Sequence, residues 1–132
     1  MKIPYVNLNL QWKKERKNLL KIIDRTLGED KWVGGKHIEK FEKKISKICN
    51  TKYAVGLNSG TDALTLGLHL LGVRKGDEVI TVPNSFVASV GVIVHLGARP
   101  ILIDVLDDQT MDPKLLEKAI TKKTKAIMPV HL

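Results

Sequence analysis

The sequence predicts an α/β fold, with N-terminal helices followed by alternating strand–helix units that form a largely parallel sheet. Three observations predict it. Short apolar runs recur near residues 53–57, 78–82, 100–104 and 126–130, and stretches with helical character lie between them. The runs are apolar throughout rather than alternating, as strands are when both faces are covered. Gly, Pro, Asn and Asp mark the joints between the two kinds of segment. Strands that alternate with helices of ten or so residues imply parallel pairing through right-handed crossovers. The expected organisation is a helical segment over 1–52 and an incomplete α/β domain over 53–132.

Taken in order, residues 2–8 read as extended, with Pro4 opposing an early helix. A helix is expected from about Asn9 to Leu27, where Trp12, Leu19, Ile23 and Leu27 share one stripe and Gly28 is a natural stop. Residues 29–35 form a loop with Trp32 and the pair Gly34-Gly35. The second helix, about His37 to Cys49, carries Ile38, Phe41, Ile45 and Ile48 on one face and lysines on the other. Cys49, the single cysteine, cannot form an internal disulfide and reads as a small buried apolar residue.

The alternating region begins with a strand at 53–57 and a helix at about 61–71. A second strand, 78–82, stops at Pro83, and a helix from Phe86 to Leu96 is expected to open on Asn84 and Ser85 and end at Gly97. A third strand spans 100–104. Asp112-Pro113 then starts another helix, with Asp as cap and Pro at the first helical position, running to about Ile120. A fourth strand covers 126–130. The sequence ends two residues past it with no covering helix, so it is expected to be a piece of a longer chain.

The formal net charge of +8 is unevenly placed. Residues 1–52 hold 14 of the 22 basic side chains and 6 of the 14 acidic ones, so the rest of the chain is neutral. A nucleic-acid surface is one reading of that excess. Interleaved acids such as Glu15, Asp24, Glu39 and Glu42, without an aromatic platform, favour a solvated helix face instead. No apolar run approaches the roughly 20 residues of a membrane helix. The N-terminus lacks a signal-peptide core, and a cytoplasmic protein is expected.

The stretch Gly56-Leu-Asn-Ser-Gly-Thr-Asp-Ala-Leu64 leads from a strand through a polar turn into a helix. The first turn of a helix has N–H groups without intrahelical partners and a positive dipole end, so it suits a phosphate. Gly60 permits close approach, and the hydroxyls of Ser59 and Thr61 add donors. The same residues also describe a plain N-cap, because Asn58, Ser59, Thr61 and Asp62 all cap well. Other chemistries find no support. There is no Walker A loop and no G-x-G-x-x-G. His37, His69, His95 and His131 have no partners at metal-ligand spacing, so no metal site is expected. No nucleophile elbow is present.

In sequence order, Trp32-Val-Gly-Gly35, Ile38-Glu-Lys-Phe-Glu42, Asn58-Ser-Gly-Thr-Asp-Ala-Leu64, Leu71-Gly-Val-Arg-Lys-Gly-Asp-Glu-Val-Ile80, Phe86-Val-Ala-Ser89, Gly97-Ala-Arg-Pro100, Thr124-Lys-Ala-Ile127 and Pro129-Val-His-Leu132 resemble the N-terminal part of a DegT/StrS-type sugar aminotransferase. The resemblance covers nearly the whole chain. It implies part of the large domain of a fold-type I transferase dependent on pyridoxal 5'-phosphate (PLP). The implied activity moves an amino group from an amino acid, glutamate or glutamine, to a nucleotide-linked keto sugar. It also implies a homodimer when full length, without nucleic acid or membrane as partner.

By this resemblance Gly60, Thr61 and Asp62 hold the cofactor phosphate, and Phe86 stacks on the pyridine ring. Phe86 follows the second strand, at the carboxyl edge where open α/β sheets place ligands; a core aromatic is the other reading. Ser89 is within reach of the cofactor but also suits capping or packing. In the family the lysine that holds the cofactor and the aspartate facing the pyridine nitrogen lie further along. Lys122, Lys123 and Lys125 fall in the turn before the last strand, so no catalytic residue and no activity are expected of residues 1–132 alone. A phosphate-binding or interaction module without the chemistry is the alternative.

Overall fold

The computed structural model describes residues 4–29 and 32–131. The expectations for residues 2, 3, 30, 31 and 132 lie outside them. The contacts of the chain divide it at Gly56/Leu57 into two units.

The first unit holds two helices, α1 (Leu8–Leu27) and α2 (Lys36–Ile48). Asn7 starts α1, its side chain accepting from the Leu10 N–H at 2.9 Å, so the helix begins just ahead of the expected Asn9. Gly35 starts α2 at φ 91°, a left-handed value that glycine adopts without strain. Between them Glu29 accepts from Lys36 at 3.0 Å and His37 at 3.1 Å. Neither helix buries a residue fully. Cys49 is exposed rather than buried, because it is the C-cap of α2, a helix whose own apolar face is open.

The second unit runs α3 (Gly60–Leu70), β1 (Glu78–Thr81), α4 (Ala88–His95), β2 (Arg99–Leu102), α5 (Pro113–Ala119) and β3 (Thr124–Ile127). The three strands form a parallel sheet in the order β2-β1-β3. The β1-to-β2 connection and the β2-to-β3 connection therefore travel in opposite directions. Right-handed crossovers then put their helices on opposite faces. The packing agrees. Val79 of β1 and Ala126 of β3 share a core with Leu68 of α3 and with Val92 and Ile93 of α4. Ile80 and Val82 face the other way, toward Leu115, Leu116 and Ala119 of α5. Every residue of β1 is buried, whereas the edge strands β2 and β3 are partly open. Pro100, which has no N–H to give a ladder, sits in edge strand β2.

Four expectations are corrected. Residues 53–57 form no strand. They are not among the three strands of the described residues, and Tyr53, Val55 and Leu57 are 73%, 75% and 44% exposed. The fourth expected strand starts earlier, at Thr124, and its assigned ladder stops at Ile127, ahead of Pro129, which has no N–H to pair. Lys125 is consequently in β3, at a register shift, and not in the preceding turn, where Lys122 and Lys123 remain. Finally, α4 starts at Ala88, not Phe86. Its two expected openers are engaged elsewhere: Asn84 donates to Gln109 O at 3.2 Å, and the Ser85 hydroxyl pairs with the Ser89 hydroxyl at 2.7 Å.

At the amino end of the sheet, buried Glu78 accepts a 2.6 Å hydrogen bond from the Thr121 hydroxyl. At the other end the Thr81 hydroxyl donates to Met128 O at 2.9 Å and ties β1 to the residue that follows β3. Ile93 is fully buried and Leu70 is 83% exposed. Ile93→Ala is therefore expected to lower stability by about 2–5 kcal/mol, and Leu70→Ala to stay within about 0.5 kcal/mol; urea denaturation followed by far-ultraviolet circular dichroism measures both.

Candidate functional site

The short turn 71–77 links α3 to β1, so α3 runs antiparallel to the strand and its N-terminus lies toward the carboxyl end of the sheet. Helices α4 and α5 follow strands and also start at that edge. Three positive helix ends thus gather on one side of the sheet, the side where ligands bind in open α/β folds.

At the start of α3, the side-chain oxygen of Ser59 accepts from the Asp62 N–H at 3.1 Å. Ser59 O accepts from the Ala63 N–H at 3.1 Å. Among the described residues the N–H groups of Gly60 and Thr61 have no acceptor, and the Thr61 hydroxyl has none either. A Cβ built on Gly60 would meet nothing within 4 Å, so the space over the turn is open. The cap and the anion site are therefore compatible: Ser59 satisfies one N–H and leaves two for a ligand. The Asn58 amide donates to the Asp62 carboxylate at 3.2 Å, giving that charge a partner inside the turn.

A cleft of about 330 Å³ lies between the start of α3 and the length of α4. Thr61, Asp62 and Thr65 form one wall; Ala88, Gly91, Val92 and His95 form the other. Gly60, Thr61 and Asp62 thus stand together at the helix start. Phe86 stands two residues ahead of α4, on the segment leaving β1, with its side chain 75% exposed. It is not a core aromatic. Its carbonyl accepts from the Ser89 N–H at 3.0 Å, so its backbone is held while its ring is open. Ser89 is buried and spends its hydroxyl on Ser85.

The sequence reading did not identify Thr65, which follows Thr61 by one helical turn, or the contact from Asn84 to Gln109. That contact joins the Phe86 segment to a turn in which the Leu106 carbonyl accepts from the Gln109 N–H at 2.8 Å. Gln109 has φ 68°, the left-handed position that often follows such a turn. Asp108 accepts from the Thr110 hydroxyl at 2.6 Å and the Thr110 N–H at 2.9 Å, and these two bonds, the hydroxyl first, hold its carboxyl below the ordinary aspartate range. Among the described residues no cluster of three or more His, Cys, Asp or Glu could hold a metal, and no helix is long and apolar enough to cross a membrane.

An open parallel sheet whose helices start at its carboxyl edge is the frame of an α/β protein. The chain belongs to the DegT/DnrJ/EryC1/StrS aminotransferase family, whose profile matches residues 13–132. It is 39% identical over 132 residues to the dTDP-3-amino-3,4,6-trideoxy-alpha-D-glucose transaminase of Streptomyces venezuelae, covering 99% of this chain and 35% of that protein. It is 38% identical to the 3-oxo-glucose-6-phosphate:glutamate aminotransferase of Bacillus subtilis, covering 99% of this chain and 30% of that one. Among solved structures it matches S. venezuelae DesV, in complex with a ketimine intermediate, with a TM-score of 0.91, 39% identity, and coverage of 98% of this chain and 35% of that one. The fold is that of the fold-type I aminotransferases. The chain spans about a third of the length of the curated relatives it matches.

Two outcomes are expected. Ser59→Ala should lower stability by about 1 kcal/mol through loss of the cap, while Thr61→Ala, whose hydroxyl has no partner among the described residues, should change it by less than about 0.5 kcal/mol; thermal unfolding of both variants tests the division between cap and site. Because the folded Asp108 carboxyl titrates below its ordinary value, its contribution is present above that value and is lost as pH falls through the folded one. In an acid titration followed by NMR, the Thr110 amide should therefore shift with a midpoint below that of an unstructured aspartate; a midpoint at the ordinary value would contradict it.

Proposed function

We propose that this chain is the N-terminal portion of a PLP-dependent aminotransferase that transfers an amino group from glutamate or glutamine to a nucleotide-linked keto sugar. The observation that carries the reading is the pair of N–H groups on Gly60 and Thr61 that have no acceptor among the described residues, at a positive helix end, on the edge of the sheet from which Phe86 also leaves. Support comes from relatives. The S. venezuelae and B. subtilis proteins are named as a sugar transaminase and a glutamate aminotransferase. A B. subtilis structure, 36% identical with a TM-score of 0.91 over 99% of this chain and 31% of that one, has the cofactor PMP bound.

Bound PLP supplies an electron sink that allows an amino group to move between carbon atoms. In this reading the Gly60 and Thr61 N–H groups and the Thr61 hydroxyl donate to its phosphate, with the α3 dipole adding roughly 0.3–1 kcal/mol at an exposed helix end. The Asp62 carboxylate accepts from the Asn58 amide within the same turn. The open ring of Phe86 covers one face of the pyridine and excludes water from it. No catalytic lysine is assigned among residues 1–132. Lys122, Lys123 and Lys125 stand at the amino end of β3, opposite the edge where α3 starts. Residues 53–132 are then part of the cofactor-binding domain and residues 1–52 a helical segment before it, in a cytoplasmic enzyme that works as a homodimer.

The test is a titration of the chain with PLP, followed by amide chemical shifts and by absorbance. The Gly60 and Thr61 resonances should move first, Thr61→Ala should weaken the effect several-fold, and no protein-bound Schiff-base band should develop. Unmoved Gly60 and Thr61 resonances would overturn the site. A saturable Schiff-base band would overturn the assignment of the lysines.

A further inference from the structure

Phe86 combines an open ring with a tightly tied backbone. The segment 83–87 has no regular secondary structure, and the side chains of the two residues just before the aromatic one anchor it. The Asn84 amide donates to Gln109 O at 3.2 Å and approaches Gln109 Oε1 at 3.4 Å, reaching the turn between β2 and α5. The second bond spans Phe86: the Ser85 hydroxyl meets the hydroxyl of buried Ser89 in the first turn of α4.

Asn84 comes at a cost. Its Oδ1 is buried and, among the described residues, has no hydrogen-bond partner. A buried acceptor left unpaired is unfavourable, and an apolar side chain of similar size would not carry that penalty. Packing alone therefore does not account for an asparagine here; the donation from Nδ2 does. The bond is also insensitive to the Gln109 side chain, because its shorter arm ends on a main-chain carbonyl held by the 106–110 turn.

We propose that Asn84 is a positioning residue: through its bond to Gln109 O it fixes the segment from which Phe86 presents its ring to the cofactor. The cofactor part of this statement rests on the function proposed above; the order of Phe86 does not. The chemistry served is stacking on a flat heteroaromatic ring, which requires the Phe86 ring to be held at one height and tilt before the ligand arrives.

The chain has two phenylalanines, Phe41 and Phe86, so incorporation of fluorophenylalanine gives two ¹⁹F resonances with Phe41 as an internal control. Asn84→Asp keeps the shape and removes the donor. It should broaden or split the Phe86 resonance, leave Phe41 unchanged, and raise exchange of the Ser89 amide about fivefold to tenfold, with Ile80 and Thr81 amides unchanged as the control for the fold. Asn84→Ser should do the same if the aspartate variant proves unstable. Gln109→Gly keeps the carbonyl and the left-handed backbone and should behave as the unsubstituted chain does. If both Asn84 variants leave the Phe86 resonance and Ser89 exchange unchanged, the positioning role is wrong. If PLP fails to shift the Phe86 resonance of the unsubstituted chain, the stacking reading is wrong while the anchoring result stands independently.

Discussion

The second unit depends on the burial of β1. Its four residues are enclosed by β2 and β3 at the sides and by helices on both faces. Val79 and Ile80 point to different cores, so a shift of one residue would exchange the two sets of contacts. With β1 fixed in register, the chain must leave the sheet at Val82-Pro83, and the segment that carries Phe86 begins there. The same strand fixes α3 from the other direction, because only the 71–77 turn separates them.

That turn and the one before β2 end in the same way. The α4 helix stops at Gly97, whose φ is 74° and where a Cβ would come within 3.2 Å of the Lys75 side chain. The left-handed backbone favours glycine there, and a Cβ would press on Lys75. The cleft between these helices runs from Thr61 and Ala88, at the carboxyl edge, to His95 at the end of α4. The polar chemistry of the unit is concentrated at that edge, whereas the amino end is closed by Glu78 and Thr121. One end of the sheet is built for closure and the other is left with open donors.

Much of this was legible in the sequence because it is local. The Asp112-Pro113 start of α5 uses a short-range signal, with the Asp112 side chain accepting from the Lys114 N–H at 2.8 Å. The amphipathic spacing of α1 and α2 is equally local. So is the turn at Gly60, where the cap and the free N–H groups follow from the order Ser-Gly-Thr-Asp. What was not legible depends on partners far away in the sequence. Tyr53-Ala-Val-Gly-Leu57 has the composition of a strand, but composition does not supply a neighbouring strand. Asn84 and Ser85 have the composition of helix caps, yet Gln109, 25 residues on, takes the amide of one, and a buried serine takes the hydroxyl of the other. The α4 start therefore moved past Phe86, which changed that residue from a helix position to an exposed, anchored loop position. Thr65 and His95 joined the cleft only through the packing of α3 on α4.

The most direct measurement is a crystal structure of this chain grown with PLP. The account predicts a phosphate oxygen within hydrogen-bond distance of both the Gly60 and Thr61 N–H groups, with the Phe86 ring against the pyridine. Clear density for the cofactor elsewhere, with that helix start empty and Phe86 remote from it, would contradict the account.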